Sequence, residues 1–178
     1  MNPVAETGGK MGTMLDPMLE EFREEAAITK RILERVPGDK LAWKPHVKSM
    51  SLGQLAWHIA TVPGGVARLA QLERFDAAQR RFDVPNPKSV EEILEAFEES
   101  VREAEGCLQA MTDQQAQARW RLVRNDTELL NWPRVGLVRR IMLNHWYHHR
   151  GQLSVYLRFL DVPVPVIYGR SADEDPFA

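Results

Sequence analysis

A single cysteine, Cys107, stands in a chain of 178 residues, so no disulfide can form within it. That usage suits a reducing compartment, and a cytoplasmic location is expected. No stretch approaches 18 uncharged apolar residues, so no membrane-spanning helix is expected. The opening MNPVAETGGKMGTM has no apolar core of the kind a secretory signal needs. Residues 1–13 are expected to form a disordered leader, followed by one domain over 14–178 that ends in an extended tail. Neither sign of charge dominates: 23 Lys and Arg face 25 Asp and Glu, a net −2. A nucleic-acid binder usually shows a basic face and a high pI, so no nucleic-acid partner is expected, although Arg139, Arg140 and Arg150 lie close together. There is also no internal repeat and no convincing βαβ alternation.

Helical periodicity fills most of what remains. A domain of this length can bury roughly 70% of its unfolded surface and needs no disulfide or metal to fold. Asp16-Pro17 opens a first helix, with Asp as N-cap, and Pro37-Gly38 stops it. Ser51 and Gln54 make a capping box for a second helix, with a kink or break expected at Pro63-Gly64-Gly65. Ser89 and Glu92 make another box for a third. A fourth starts near Trp132-Pro133 and runs to about Leu160. Residues 76–88 read as a loop, and 112–131 are ambiguous, with strand character at Trp120–Val123 that allows a short hairpin. The fold class expected is all-α: a four-helix bundle with long crossover connections.

Histidines then stand out. The chain has five, and three fall in the stretch HWYHH at 145–149. Positions four apart on a helix differ by about 40° around the axis and about 6 Å along it. His145 and His149 therefore share a face and can converge on one ion, while His148 points elsewhere and reads as a packing or interface residue. His58 sits on the inward stripe of the second helix with Leu55 and Val62, where an imidazole needs a partner. The three together make a His₃ set with open coordination positions, the arrangement of catalytic sites rather than of closed structural ones. A His pair at this spacing also occurs on ordinary helix surfaces, where it does nothing. Arg150 and Gln152 flank the set and could orient an anion or a water; otherwise they are a surface charge and a helix-side hydrogen bond. Trp57, Trp146 and Tyr156 read as core before substrate stackers, Cys107 as a small apolar residue before a nucleophile, and His46 as a solvated loop residue.

LAWHIA at 55–60, NHWYHHRGQLSVYLR at 144–158 and VPVIYGRSADE at 164–174 resemble the DinB-like/YfiT superfamily. The resemblance spans about residues 16–174. It implies a four-helix bundle, often dimeric, holding a divalent metal (zinc or nickel) on three histidines, which map to His58, His145 and His149. The family name refers to induction by DNA damage, a stress response, which describes expression and not chemistry. Characterised relatives include S-transferases and isomerases that use low-molecular-weight thiols, and many members have no known activity.

The function expected is a metal-dependent transfer of an electrophile onto a small thiol. The lone cysteine favours a thiol substrate over an internal nucleophile. Arg150, Gln152 and Tyr156 are the candidates for supporting the ligands or meeting substrate. The alternatives are metal-dependent hydrolysis and a non-catalytic metal-binding or interaction module. A homodimer is expected because Leu137, Val138, Ile141, Met142, Leu143, Trp146, Val155 and Phe159 spread apolar character around the last helix.

Overall fold

The computed structural model describes residues 12–79 and 85–177. The expected leader therefore lies almost wholly outside the described residues, as does part of the 76–88 loop. The described chain is mostly helical. Helices α1 (Asp16–Leu33), α2 (Leu52–Ala70) and α3 (Val90–Ala110) are joined by a last long helical run. That run comprises α5 (Arg134–Leu137), a π-helical stretch (Val138–Asn144) and α6 (His145–Phe159). α2 packs on α3, α6 and the π stretch, and α1 packs on α3 and α6. No helix among the described residues is long and apolar enough to cross a membrane.

The all-α expectation needs correction. Strands β1 (Arg74–Asp76), β2 (Arg119–Arg124) and β3 (Thr127–Pro133) form a small sheet, with the short helix α4 (Asp113–Gln117) before β2. β1 lies parallel to β2, and β2 pairs antiparallel with β3. The hairpin turns on Asn125 and Asp126, at φ 46° and 67°. Those are the left-handed angles a two-residue hairpin demands, and Asn and Asp tolerate them best after Gly. Trp120 pins the sheet to the helices, burying its ring and donating from Nε1 to the Leu69 carbonyl at 3.0 Å. The link at 112–131 is thus a structured hairpin rather than a plain crossover.

Local capping follows the sequence only in part. Ser51 and Gln54 form both bonds of the box that starts α2. At α3, Ser89 accepts from the Glu92 amide, but the Glu92 carboxylate takes the Lys88 amide instead of closing the box. Asp16 is the first helical residue rather than the cap, and its carboxylate turns back to the amide and hydroxyl of Thr13.

The expected break at Pro63-Gly64-Gly65 does not occur; α2 runs through it. Proline lacks an N–H, so the carbonyl four residues earlier, that of Ile59, loses its helical donor. Trp146 of α6 supplies a replacement: its buried indole Nε1 donates to Ile59 O at 2.8 Å. Gly64 serves the opposite face. Its amide donates to Ser100 Oγ at 2.8 Å, and a Cβ there would lie 3.0 Å from the Ser100 Cα. The Pro-Gly pair therefore fastens α2 to two neighbours at once.

Candidate metal centre

The bond from Trp146 to Ile59 fixes more than the helix packing. Ile59 follows His58, and Trp146 follows His145, so the same contact sets those two histidines side by side. His58 Nε2 and His145 Nε2 are 3.0 Å apart. His149, one turn further along α6, completes the group. Its ring centroid lies 4.5 Å from that of His58 and 4.3 Å from that of His145. One nitrogen from each of the three rings lies within 4.8 Å of the others, close enough to hold one ion.

The electrostatics keep these nitrogens available. Burial, reinforced by the neighbouring His149 and His145, pushes the His58 pKa down to about 4. Burial likewise lowers His145, with His149 and His148 adding to the effect. His149 is lowered chiefly by burial, against the opposing effect of its hydrogen bond to Gln152. A neutral imidazole carries one lone pair, so near pH 7 each ring keeps one nitrogen able to bind a metal. The donor set suits a divalent ion: three neutral nitrogens are ordinary ligands for zinc, nickel or iron.

The remaining candidates divide. Gln152 reaches the site, with Oε1 2.7 Å from His149 Nδ1. Arg150 does not: it leaves α6 about 100° around from His149 and is 1% exposed. There it pairs with Glu25, donates to the Glu25 carbonyl and Thr29 Oγ1, and meets the Tyr168 hydroxyl. It is neither an anion-orienting group at the histidines nor a surface charge. Tyr156 lies seven residues past His149 on α6, half-buried, its hydroxyl on the Met50 carbonyl and its ring edge-on to Trp43. His148 is exposed, and exposed His46 accepts from the Lys48 amide. Trp57 is half-buried beside His58 in sequence.

Cys107 is half-buried on α3, with Sγ 3.6 Å from the Ala67 carbonyl. Burial, with Glu103 nearby, pushes its thiol pKa up, the reverse of an activated nucleophile. Ala67 lies nine residues past His58 on α2, about 13 Å along the axis at ~1.5 Å per residue.

Sequence reasoning missed the polar cluster that Arg150 joins. Glu25 is 8% exposed, and the Tyr168 hydroxyl donates to its Oε1 at 2.9 Å. Burial and the Glu25 carboxylate push the Tyr168 pKa up to about 12. The cluster ties the C-terminal tail to α1 and α6. Asp173 and Glu174 add further ties, to Arg158 and to Arg31 and Arg35. A signal existed in sequence, since Glu25 and Thr29 lie four apart on the inward stripe of the first helix.

Comparison with known proteins bears on the family and the fold. A family model described as "DinB family" matches residues 11–175. An uncharacterised protein of Bacillus subtilis, YrdA, is 27% identical over 161 residues, covering 90% of this chain and 91% of its own. The crystal structure of a DinB-like protein from Bacillus cereus superposes with a TM-score of 0.66 at 23% identity, over 84% of this chain and 95% of that one. A DinB-like protein of Bacillus subtilis, YjoA, gives 0.67 at 20% identity, over 86% and 97%. At those identities the two structures speak to the fold alone.

Proposed function

Because the chain belongs to the DinB family, we propose that it is a divalent-metal enzyme that transfers an electrophile onto a low-molecular-weight thiol. The convergence of His58, His145 and His149 from two helices carries this reading. Three protein ligands leave coordination positions for water or substrate, which is how catalytic sites are built. A zinc or nickel ion bound there supplies Lewis acidity, lowering the pKa of a thiol or water at the open positions. The chain's own residues do the rest. His58 and His145 are held in register by the Trp146–Ile59 bond, and His149 is held by Gln152. The raised pKa and the position of Cys107 count against an internal thiol nucleophile and so support this reading. In the transfer, a sulfur–carbon bond forms as the carbon–leaving-group bond breaks, and the thiol proton departs with the leaving group.

The test joins metal content to thiol dependence. Tag-free protein is expected to hold about one ion per chain, and His58→Ala, His145→Ala and His149→Ala to lose it, while exposed His148→Ala keeps it. Turnover of a panel of electrophiles is then expected only when a thiol is present. Turnover without a thiol would favour hydrolysis, and a bound ion with no turnover of either kind would favour a metal-binding module.

The homodimer now rests on less than the sequence suggested. Leu137, Val138, Met142, Leu143 and Trp146 are buried within the chain's own core. Ile141 is half-buried against that core, and what stays exposed is Val155 at 53% and Phe159 at 68%, the latter next to half-buried Trp43. We place the subunit contact on that edge of α6. Sedimentation is expected to show a dimer that Phe159→Glu converts to monomer; a wild-type monomer at tens of micromolar would refute it.

A further inference from the structure

A neutral imidazole has one N–H and one lone pair, and only the nitrogen with the lone pair can bind a metal. Two rings of the triad settle this against each other. His58 Nε2 and His145 Nε2 lie 3.0 Å apart, so one of them holds a proton that the other accepts. His149 is different. Its Nδ1 is 2.7 Å from Oε1 of Gln152. An amide oxygen only accepts, so Nδ1 carries the hydrogen and Nε2 carries the lone pair. The contact belongs to the helix itself: Gln152 lies three residues after His149 in α6, and such positions are neighbours on one face.

We propose that Gln152 is the positioning residue of this site, holding His149 in the Nδ1–H tautomer with Nε2 ready to ligate before any ion arrives. The proposal rests on the reading of the triad as a metal centre. It makes His149 the anchor of the three, since a ligand role for both His58 Nε2 and His145 Nε2 requires one of those rings to move its hydrogen to Nδ1, whereas His149 requires no such shift. It also explains an amide at this position. A carboxylate would orient the ring equally well but would add a negative charge beside the ion. With three neutral ligands and a neutral support, a divalent ion keeps its full charge for an anionic occupant of the open positions, such as a thiolate.

The test uses the full chain, Zn²⁺ as the probe, and the variants Gln152→Met and Gln152→Glu. Metal-free wild type is expected to show His149 as the Nδ1–H tautomer in two-bond ¹H–¹⁵N spectra. Gln152→Met removes the acceptor at similar length, and a mixture of tautomers is expected with zinc affinity about 10–100-fold weaker, the range found when ligand-orienting partners are lost. Gln152→Glu restores the acceptor and is expected to recover both the tautomer and the affinity, which a merely damaged fold would not do. Wild-type His149 found as the Nε2–H tautomer would overturn the proposal. So would Gln152→Met binding zinc within threefold of wild type. If wild type binds no zinc at all, the metal reading itself fails and takes this one with it; normal wild-type binding with an indifferent Gln152→Met defeats only the role of Gln152.

Discussion

Replacing Arg150 with methionine is expected to destabilise the protein by about 3–5 kcal/mol, the usual cost of breaking a buried ion pair from one side. Arg150 is 1% exposed and its partner Glu25 is 8% exposed. Arg150→Met keeps much of the side-chain volume but leaves the Glu25 carboxylate buried, supported only by the Tyr168 hydroxyl. At roughly 2–4 °C per kcal/mol for a domain of this size, the midpoint of thermal unfolding should fall by about 6–20 °C. The cost arises from the stranded charge and not from the pair's own strength. The double variant Glu25→Leu/Arg150→Met should therefore recover most of the loss, because a buried pair replaced on both sides by apolar groups is often neutral. A double variant as unstable as Arg150→Met would mean that the arginine is needed for its contacts with Thr29 and the Tyr147 and Tyr168 rings instead.

The second large effect concerns the fastening between α2 and α6. Trp146→Phe removes the donor that serves Ile59 O and leaves that carbonyl without a partner beside Pro63. An unsatisfied buried polar group costs about 1–3 kcal/mol, and the smaller ring adds a cavity next to Phe22 and Phe97. Loss of about 2–5 kcal/mol is expected, together with weaker metal binding, since His58 and His145 lose the contact that sets their register. The cause can be isolated with Pro63→Ala. Alanine at 63 supplies the missing N–H to Ile59 O, so it should relieve part of the Trp146→Phe defect. A coupling of about 1 kcal/mol or more is expected between the two substitutions in a double-mutant cycle, as for residues that share one partner. Strictly additive effects would show that Pro63 and Trp146 act independently and that the indole contributes only packing.

Both cases lie where pattern reading had the right residues and the wrong account of them. Pro63-Gly64 reads as a break because the missing N–H and the missing Cβ are local facts. Whether another element makes good the lost bond, or needs the close approach, is not local. Arg150 reads as a flanking surface group because arginine is rarely buried unpaired, and its partner is 125 positions away. The small sheet escaped for a related reason. Its strands are short, and β1 pairs in parallel with a strand more than forty residues later, so little in either segment's own alternation announces it.

What the sequence determined by itself is whatever depends on helical spacing. The His145–His149 pair, the inward face of His58, the capping box at Ser51 and the nearness of Gln152 to His149 all follow from 3.6 residues per turn. The tertiary structure alone decided which of these faces meet. It brought His58 to His145 across 87 positions, by joining Trp146 to the carbonyl that Pro63 had freed. It sent Arg150 to Glu25 and away from the three histidines, one residue after His149 but about 100° around the helix. Periodicity determines the direction in which a side chain leaves its helix. The buried polar groups, each obliged to find a partner, determine which neighbour it meets.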